Sequence, residues 1–242
     1  MPTDDFATRY DAIISHPRTL ALYGDSGYYN VGLWSDGVRD QRQACDRLVD
    51  ELAGLIPADA RFILDVGCGL GAGTRRLADH FPEAEIVGGN ISPWQVDQAM
   101  RRGVKRAIVM DAVCIPLGDE TADCVVAMES AQHFDTRERF LYEALRVLRP
   151  GGCIVLADML FRDREPIGTW MLPAENDVDG PEAYAGLLRE VGYRDVVARD
   201  VTSLTWTPYC EAMRAATPEH RDQIDGYEPA LAYYVFAFGR KG

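Results

Sequence analysis

Residues 63–73 read Ile63-Leu-Asp65-Val-Gly67-Cys-Gly69-Leu-Gly71-Ala-Gly73, and the fold follows from them. An apolar strand ends in an acid, breaks into a turn carrying four glycines in seven residues, and restarts as a helix at Thr74-Arg-Arg-Leu-Ala. Glycine lets the backbone turn tightly and lets a ligand lie against it without meeting a side chain. Without a ligand, four such residues would be a costly use of backbone entropy. The run is therefore a nucleotide-type cofactor loop on an α/β sheet. Gly67-x-Gly69-x-x-Ala72 also satisfies the dinucleotide fingerprint, so the kind of nucleotide has to be decided elsewhere.

A dinucleotide site wants an acid at the end of the second strand, for the ribose hydroxyls. Here that strand, Glu85-Ile-Val-Gly-Gly-Asn90, ends in a neutral amide. Asp65 puts a carboxylate at the tip of the first strand, where a pyrophosphate would be repelled and a ligand carrying an ammonium and a sulfonium attracted. Farther on, Leu148-Arg-Pro150-Gly-Gly152 closes a helix spanning Arg137 to Val147, ahead of the apolar strand Cys153-Ile-Val-Leu-Ala157.

The alternation of elements extends this pattern. A helix is expected from about Gln41 to Leu55, capped by Asp36 or Asp40, with Ala44, Leu48, Leu52 and Leu55 on one face. Strands are expected near 61–66, 85–90, 105–110, 122–129 and 151–158, and Asp135-Thr136 caps the helix after the fourth. Such alternation gives a parallel sheet, helices on both faces, and ligands at the carboxyl ends of the strands. The last third adds a helix Glu182–Val191, a strand Asp195–Thr202, an amphipathic piece Pro208–Ala216 and a strand Ala230–Phe238. Residues 162–180, punctuated by Pro166, Gly168, Pro173 and Gly180, read as a long loop, of the kind that is usually functional or disordered.

Composition narrows the partners. A net charge of −13, with 25 basic against 38 acidic residues, argues against nucleic acid. The first residues lack a secretory pattern, and the longest apolar run, residues 230–238, is too short to span a bilayer. Six cysteines without a C-x-x-C pair suit a reduced, cytoplasmic protein; the histidines at 16, 80, 133 and 220 suggest no metal site. A chain of 242 residues can be one domain, with 1–60 as an N-terminal lid and first helix belonging to the same domain as a core at 61–242. A homodimer is compatible with this reading.

Over roughly residues 25–240 these parts resemble the class I S-adenosylmethionine-dependent methyltransferases that act on small natural products in bacteria. The resemblance implies a doubly wound, Rossmann-like α/β fold: a seven-stranded, mostly parallel sheet whose last strand inserts antiparallel. It implies S-adenosylmethionine as cofactor, with Asp65, Gly67, Gly69 and Gly71 under its methionine part and Glu129 at the strand tip facing it. Asn90 and Gln95, in Asn90-Ile-Ser-Pro-Trp-Gln95, would reach the ribose, while Ile91 and Trp94 wall the adenine. Asp111 and Ala112 would read the adenine edge. Many relatives carry an acid where this chain has Asn90, which should weaken the ribose contact by ~1 kcal/mol. Tyr28-Tyr29-Asn30-Val-Gly-Leu-Trp34 would form a lid strand, with Tyr29 and Asn30 near the methionine carboxylate.

The reactive end is expected at Ala127-Met-Glu129-Ser-Ala-Gln132-His133-Phe134. An imidazole can take a proton near neutral pH, so His133 is the candidate base for an alcohol acceptor; a helix-capping role is the alternative. Cyclopropane synthases carry Glu in place of Gln132, which disfavours lipid substrates and membrane association. The acceptor would be a small hydrophobic metabolite, contacted by Tyr28, Trp34, Leu160, Phe161, Trp170 and Met171. Transfer to nitrogen or carbon, or a related fold that binds the cofactor without transferring methyl, stays open.

Overall fold

The computed structural model describes residues 3–35, 37–168 and 171–242. Asp36 and Trp170, both singled out above, lie outside the described residues. The chain begins with two helices, α1 (Thr3–Ile14) and α2 (Pro17–Tyr23), then an extended stretch without regular structure and α3 (Gln41–Ala53). There follow β1 (Phe62–Val66), α4 (Ala72–His80), β2 (Glu85–Asn90), α5 (Pro93–Arg101), β3 (Ala107–Val109) and β4 (Ala122–Met128). The remainder is α6 (Arg137–Val147), β5 (Leu148–Phe161), α7 (Pro181–Val191), β6 (Tyr193–Asp200), α8 (Trp206–Ala216), α9 (Arg221–Tyr227) and β7 (Leu231–Lys241).

Local chemistry sets the helix boundaries. Asp40 caps α3 by accepting from Gln43 N, and Ser92 caps α5 ahead of Pro93 by accepting from Gln95 N. Thr136 caps α6, and Gly192 ends α7 in the left-handed region at φ 120°. The sheet order is β3-β2-β1-β4-β5-β7-β6. The first five strands pair in parallel, and β7 enters antiparallel between β5 and β6, as the resemblance implies. Strand order reverses between β1 and β4, and that crevice is where open α/β sheets bind ligands.

One core packs α3 and α4 against the sheet through Leu48, Leu52, Ile63, Leu77 and Val126. The other packs α6 and α7 on the opposite face through Leu64, Val125, Phe140, Ile154, Tyr184 and Leu188. Burial on both faces explains why β1, β4 and β5 read as apolar runs rather than alternating patterns. No described helix is long and apolar enough to cross a membrane. Helices α1, α2 and α9 have no counterpart in the sequence reading, and the expected lid strand at 28–34 is irregular extended chain.

Candidate active site

At the carboxyl ends of β1, β2 and β4 lies a cavity of about 520 Å3. The three named turn glycines differ in what they do there. At Gly67 (φ 80°) a Cβ would come within 2.4 Å of the Ser130 side chain, so glycine lets the β1 turn press on the end of β4. At Gly71 (φ 82°) a Cβ would strike Val104 and Ala99 at 2.4 and 2.9 Å; this glycine, off the cavity wall, seats α4 against α5 and the turn after it. At Gly69 (φ 55°) a Cβ would meet no protein atom within 4 Å, although the residue lines the cavity. Gly69 is therefore the position where a missing side chain leaves room for a ligand.

Around that loop the acids are buried. The Asp65 carboxyl accepts from Thr74 Oγ1 at 2.6 Å, and burial pushes it up to about 6 despite that bond. Glu129, only 8 % exposed and at φ 52°, follows β4 directly. Both of its oxygens accept from Val31 N (2.9 and 3.1 Å), and Oε1 also accepts from Tyr234 Oη at 2.6 Å. Burial pushes Glu129 up to about 8. This carboxylate fastens the 28–34 segment, so Tyr29 and Asn30 line the cavity without a lid strand. Asn30 Oδ1 is buried there without a partner, an acceptor suited to an ammonium. The cradle at Gly69, this orphan oxygen and the buried acids fit a ligand with a cationic amino-acid end.

The opposite end takes shape at β2 and β3. Asn90, Ile91, Gln95, Asp111 and Ala112 all line the cavity. Asn90 Nδ2 donates to Gln95 Oε1 at 3.0 Å, and Asp111 Oδ1 accepts from Val113 N at 3.0 Å, so Asp111 shapes its own turn as well as the wall. Trp94 is 39 % exposed and stands off the wall, because the first turn of α5 points it outward.

The acceptor side differs most from expectation. His133 lines the cavity on a 3-10 turn, Ala131–His133, just beyond β4. Phe6 and Tyr10 of α1 pack on its ring at 5.7 and 5.3 Å, and Tyr10 meets Tyr29 edge-on at 5.9 Å. With Ile14, Phe134, Leu172 and Pro173 they make an aromatic and aliphatic wall. Tyr28 lines the cavity, but its hydroxyl donates away from it, to Asp46 Oδ1 at 2.7 Å. Met171 is on the wall. Trp34 and Leu160 are not: Trp34 Nε1 donates to Val31 O, and Leu160 points into the α6–α7 core. Phe161 lies behind the site beside Gln132 and Arg137. Sequence reading missed Phe6, Tyr10 and Ile14, although their spacing of four residues places them on one helical stripe.

A buried clamp holds this side. Arg137, 2 % exposed, donates through Nε to Asp158 Oδ2 at 2.8 Å, and its side chain also donates to Asn176 O and Met159 O. Asn176 accepts from Arg137 N and donates to the carbonyls of Gln132 and Phe134. The Asn176 amide thus ties the His133 turn to the 173–177 wall, and the Arg137 guanidinium holds Asn176 through its carbonyl.

Known proteins share this architecture. The methyltransferase-domain family matches residues 64–156. The chain is 32 % identical over 213 residues to erythromycin 3''-O-methyltransferase of Saccharopolyspora erythraea, covering 77 % of this chain and 68 % of that protein. It is 32 % identical over 227 residues to 27-O-demethylrifamycin SV methyltransferase of Amycolatopsis mediterranei, covering 84 % and 80 %. Among solved structures it is similar to the (4+2)-cyclase SpnF, with a TM-score of 0.80 and 26 % identity over 99 % of this chain and 96 % of that one.

Proposed function

This chain belongs to the S-adenosylmethionine-dependent methyltransferases, and we propose that it methylates a hydroxyl of a small hydrophobic metabolite, with His133 as base. The observation that carries this reading is the position of His133, on the cavity wall between the buried acids and the aromatic face of α1.

S-adenosylmethionine supplies an electrophilic methyl group on a sulfonium. Gly69, Asp65, Asn30 and Glu129 would hold its amino-acid end, Asn90 and Gln95 the ribose, and Ile91, Asp111 and Ala112 the adenine. In the transfer that this group would supply, with the carbon–sulfur bond broken to a thioether as the acceptor oxygen takes the methyl, His133 would receive the hydroxyl proton on its imidazole. The protein's larger contribution is alignment, since an in-line displacement depends on holding nucleophile and carbon in place. Phe6, Tyr10, Phe134, Met171 and Leu172 suit an apolar, ring-bearing acceptor. The names of the two O-methyltransferase relatives support an oxygen of a natural product as the acceptor.

The reading extends to context. We take residues 1–60 as part of the same domain as 61–242, since α1 hydrogen-bonds to α5. A charge of −13 and free cysteines support a small-molecule acceptor, rather than nucleic acid, in the cytoplasm. The likeness to SpnF favours a second reading, a cyclase on the same fold.

His133→Ala should lower the chemical step by roughly 10²–10⁴ while leaving S-adenosylhomocysteine affinity unchanged by calorimetry. Wild-type single-turnover rates in that variant would instead mean that positioning alone carries the reaction.

A further inference from the structure

Asp11 of helix α1, partly buried, turns its carboxylate toward the start of α5. Asp11 Oδ1 accepts from Gln95 Nε2 at 2.7 Å, and Asp11 Oδ2 accepts from Ser92 Oγ at 2.8 Å. Gln95 Oε1 in turn accepts from Asn90 Nδ2 at 3.0 Å, and Asn90 Oδ1 accepts from Ser92 N at 2.9 Å. The chain of bonds from Asp11 through Gln95 to Asn90 is continuous, and Ser92, Gln95 and Asn90 are all buried.

These bonds decide which way two amides face. A free Gln or Asn can turn its oxygen and nitrogen end for end. Here the carboxylate can only accept, so Nε2 of Gln95 must face Asp11 and Oε1 must face Asn90. Asn90 Nδ2 is then committed to Gln95, and Oδ1 to the backbone of α5. Charge-assisted bonds are the stronger kind, and they polarise the amides beyond them.

We infer that Asp11 is a positioning residue for the cofactor's ribose: α1 delivers, through Gln95, the carboxylate that the end of β2 lacks. The inference rests on the assignment of Asn90 and Gln95 to the ribose. It has a second consequence, because the same helix places Phe6 and Tyr10 on His133. Asp11 thereby ties cofactor binding to completion of the acceptor wall.

Calorimetric titration of S-adenosylhomocysteine tests this without turnover. Asp11→Ala and Gln95→Ala should each raise its dissociation constant about tenfold, and the double variant should be little worse than either alone. Asp11→Asn keeps an oxygen for Gln95 but loses the charge and can turn end for end, so it should recover only part of the affinity. In steady-state assays, Asp11→Ala should also raise the acceptor KM. An Asp11→Ala variant with a lowered melting temperature but wild-type affinity overturns the inference, as does a double variant whose losses simply add. Unchanged affinity in Gln95→Ala would instead remove the ribose assignment beneath it.

Discussion

Two walls of one cavity are built by different means. The cofactor wall comes largely from residues 65–95, a continuous strand-turn-helix-strand-helix run, with Asn30, Asp111, Ala112 and Glu129 beside it. The acceptor wall is assembled from α1, from Tyr28, from the turn after β4, from Gly168 and from residues 171–175. The first is shaped by local backbone chemistry: left-handed glycines, a Ser-Pro cap, an acid at a strand tip. The second exists only once distant segments dock, and buried polar bonds do the fastening. The cofactor chemistry can thus sit on a largely self-organising half while the docked half is free to fit an acceptor.

The strongest test of this contrast is Arg137. Removing one partner of a buried ion pair costs about 3–5 kcal/mol, and here it also removes the guanidinium's bond to Asn176 O, which holds in place the residue bonded to the His133 turn. Denaturant unfolding of Arg137→Ala should show a loss of that size. In the fraction that folds, acceptor KM should rise while S-adenosylhomocysteine affinity holds. Equal damage to both ligands would erase the distinction between the two walls.

The glycine turn sharpens it from the other side. Gly71→Ala should lower stability by about 1–3 kcal/mol, since its Cβ meets Val104 and Ala99 at a left-handed φ. Gly69→Ala should cost less stability yet weaken S-adenosylhomocysteine binding by about tenfold, because its methyl projects where only a ligand would be. Thermal melts and calorimetry on the pair would separate a packing glycine from a binding one. Should both lose stability alone, the cradle would have been misplaced.

A smaller effect follows from the acids. Glu129, pushed up to about 8, holds its proton at neutrality, and Asp65, at about 6, holds part of one. A cationic ligand favours the charged carboxylates and lowers both values, so binding releases protons. Affinity should therefore rise as pH climbs from about 6 to about 8, by at most about tenfold per unit for one linked proton. Titrations in buffers of different ionisation heat should detect the release, and Glu129→Gln should flatten the slope. Proton uptake on binding would contradict the placement of the cationic end here.

The same division governs what the sequence made legible. Boundaries of α6, β2 and the β1 turn could be read to within a residue, because caps, glycines and apolar runs are local signals. Asp65, Gly69, Asn90, Gln95 and Asp111 came to the cavity as expected. Trp34 and Leu160 did not, since an aromatic or aliphatic side chain reads alike whether it faces a ligand or a core. Helix α1 was invisible as a wall because its role depends on docking across the sheet to Ser92, Gln95 and His133. Only the Phe6, Tyr10, Ile14 stripe hinted at a buried face.

The central claim, methyl transfer to an oxygen of a small acceptor, is tested most directly with cofactor carrying a deuterated methyl group. Purified protein, labelled S-adenosylmethionine and a panel of hydroxylated, ring-bearing natural products would be incubated and followed by mass spectrometry and NMR. The expected result is a deuterated methyl ether on one acceptor hydroxyl, with S-adenosylhomocysteine formed in equal amount. A product rearranged without label would contradict the claim and favour the cyclase reading, and label on nitrogen or carbon would remove the need for His133 as base.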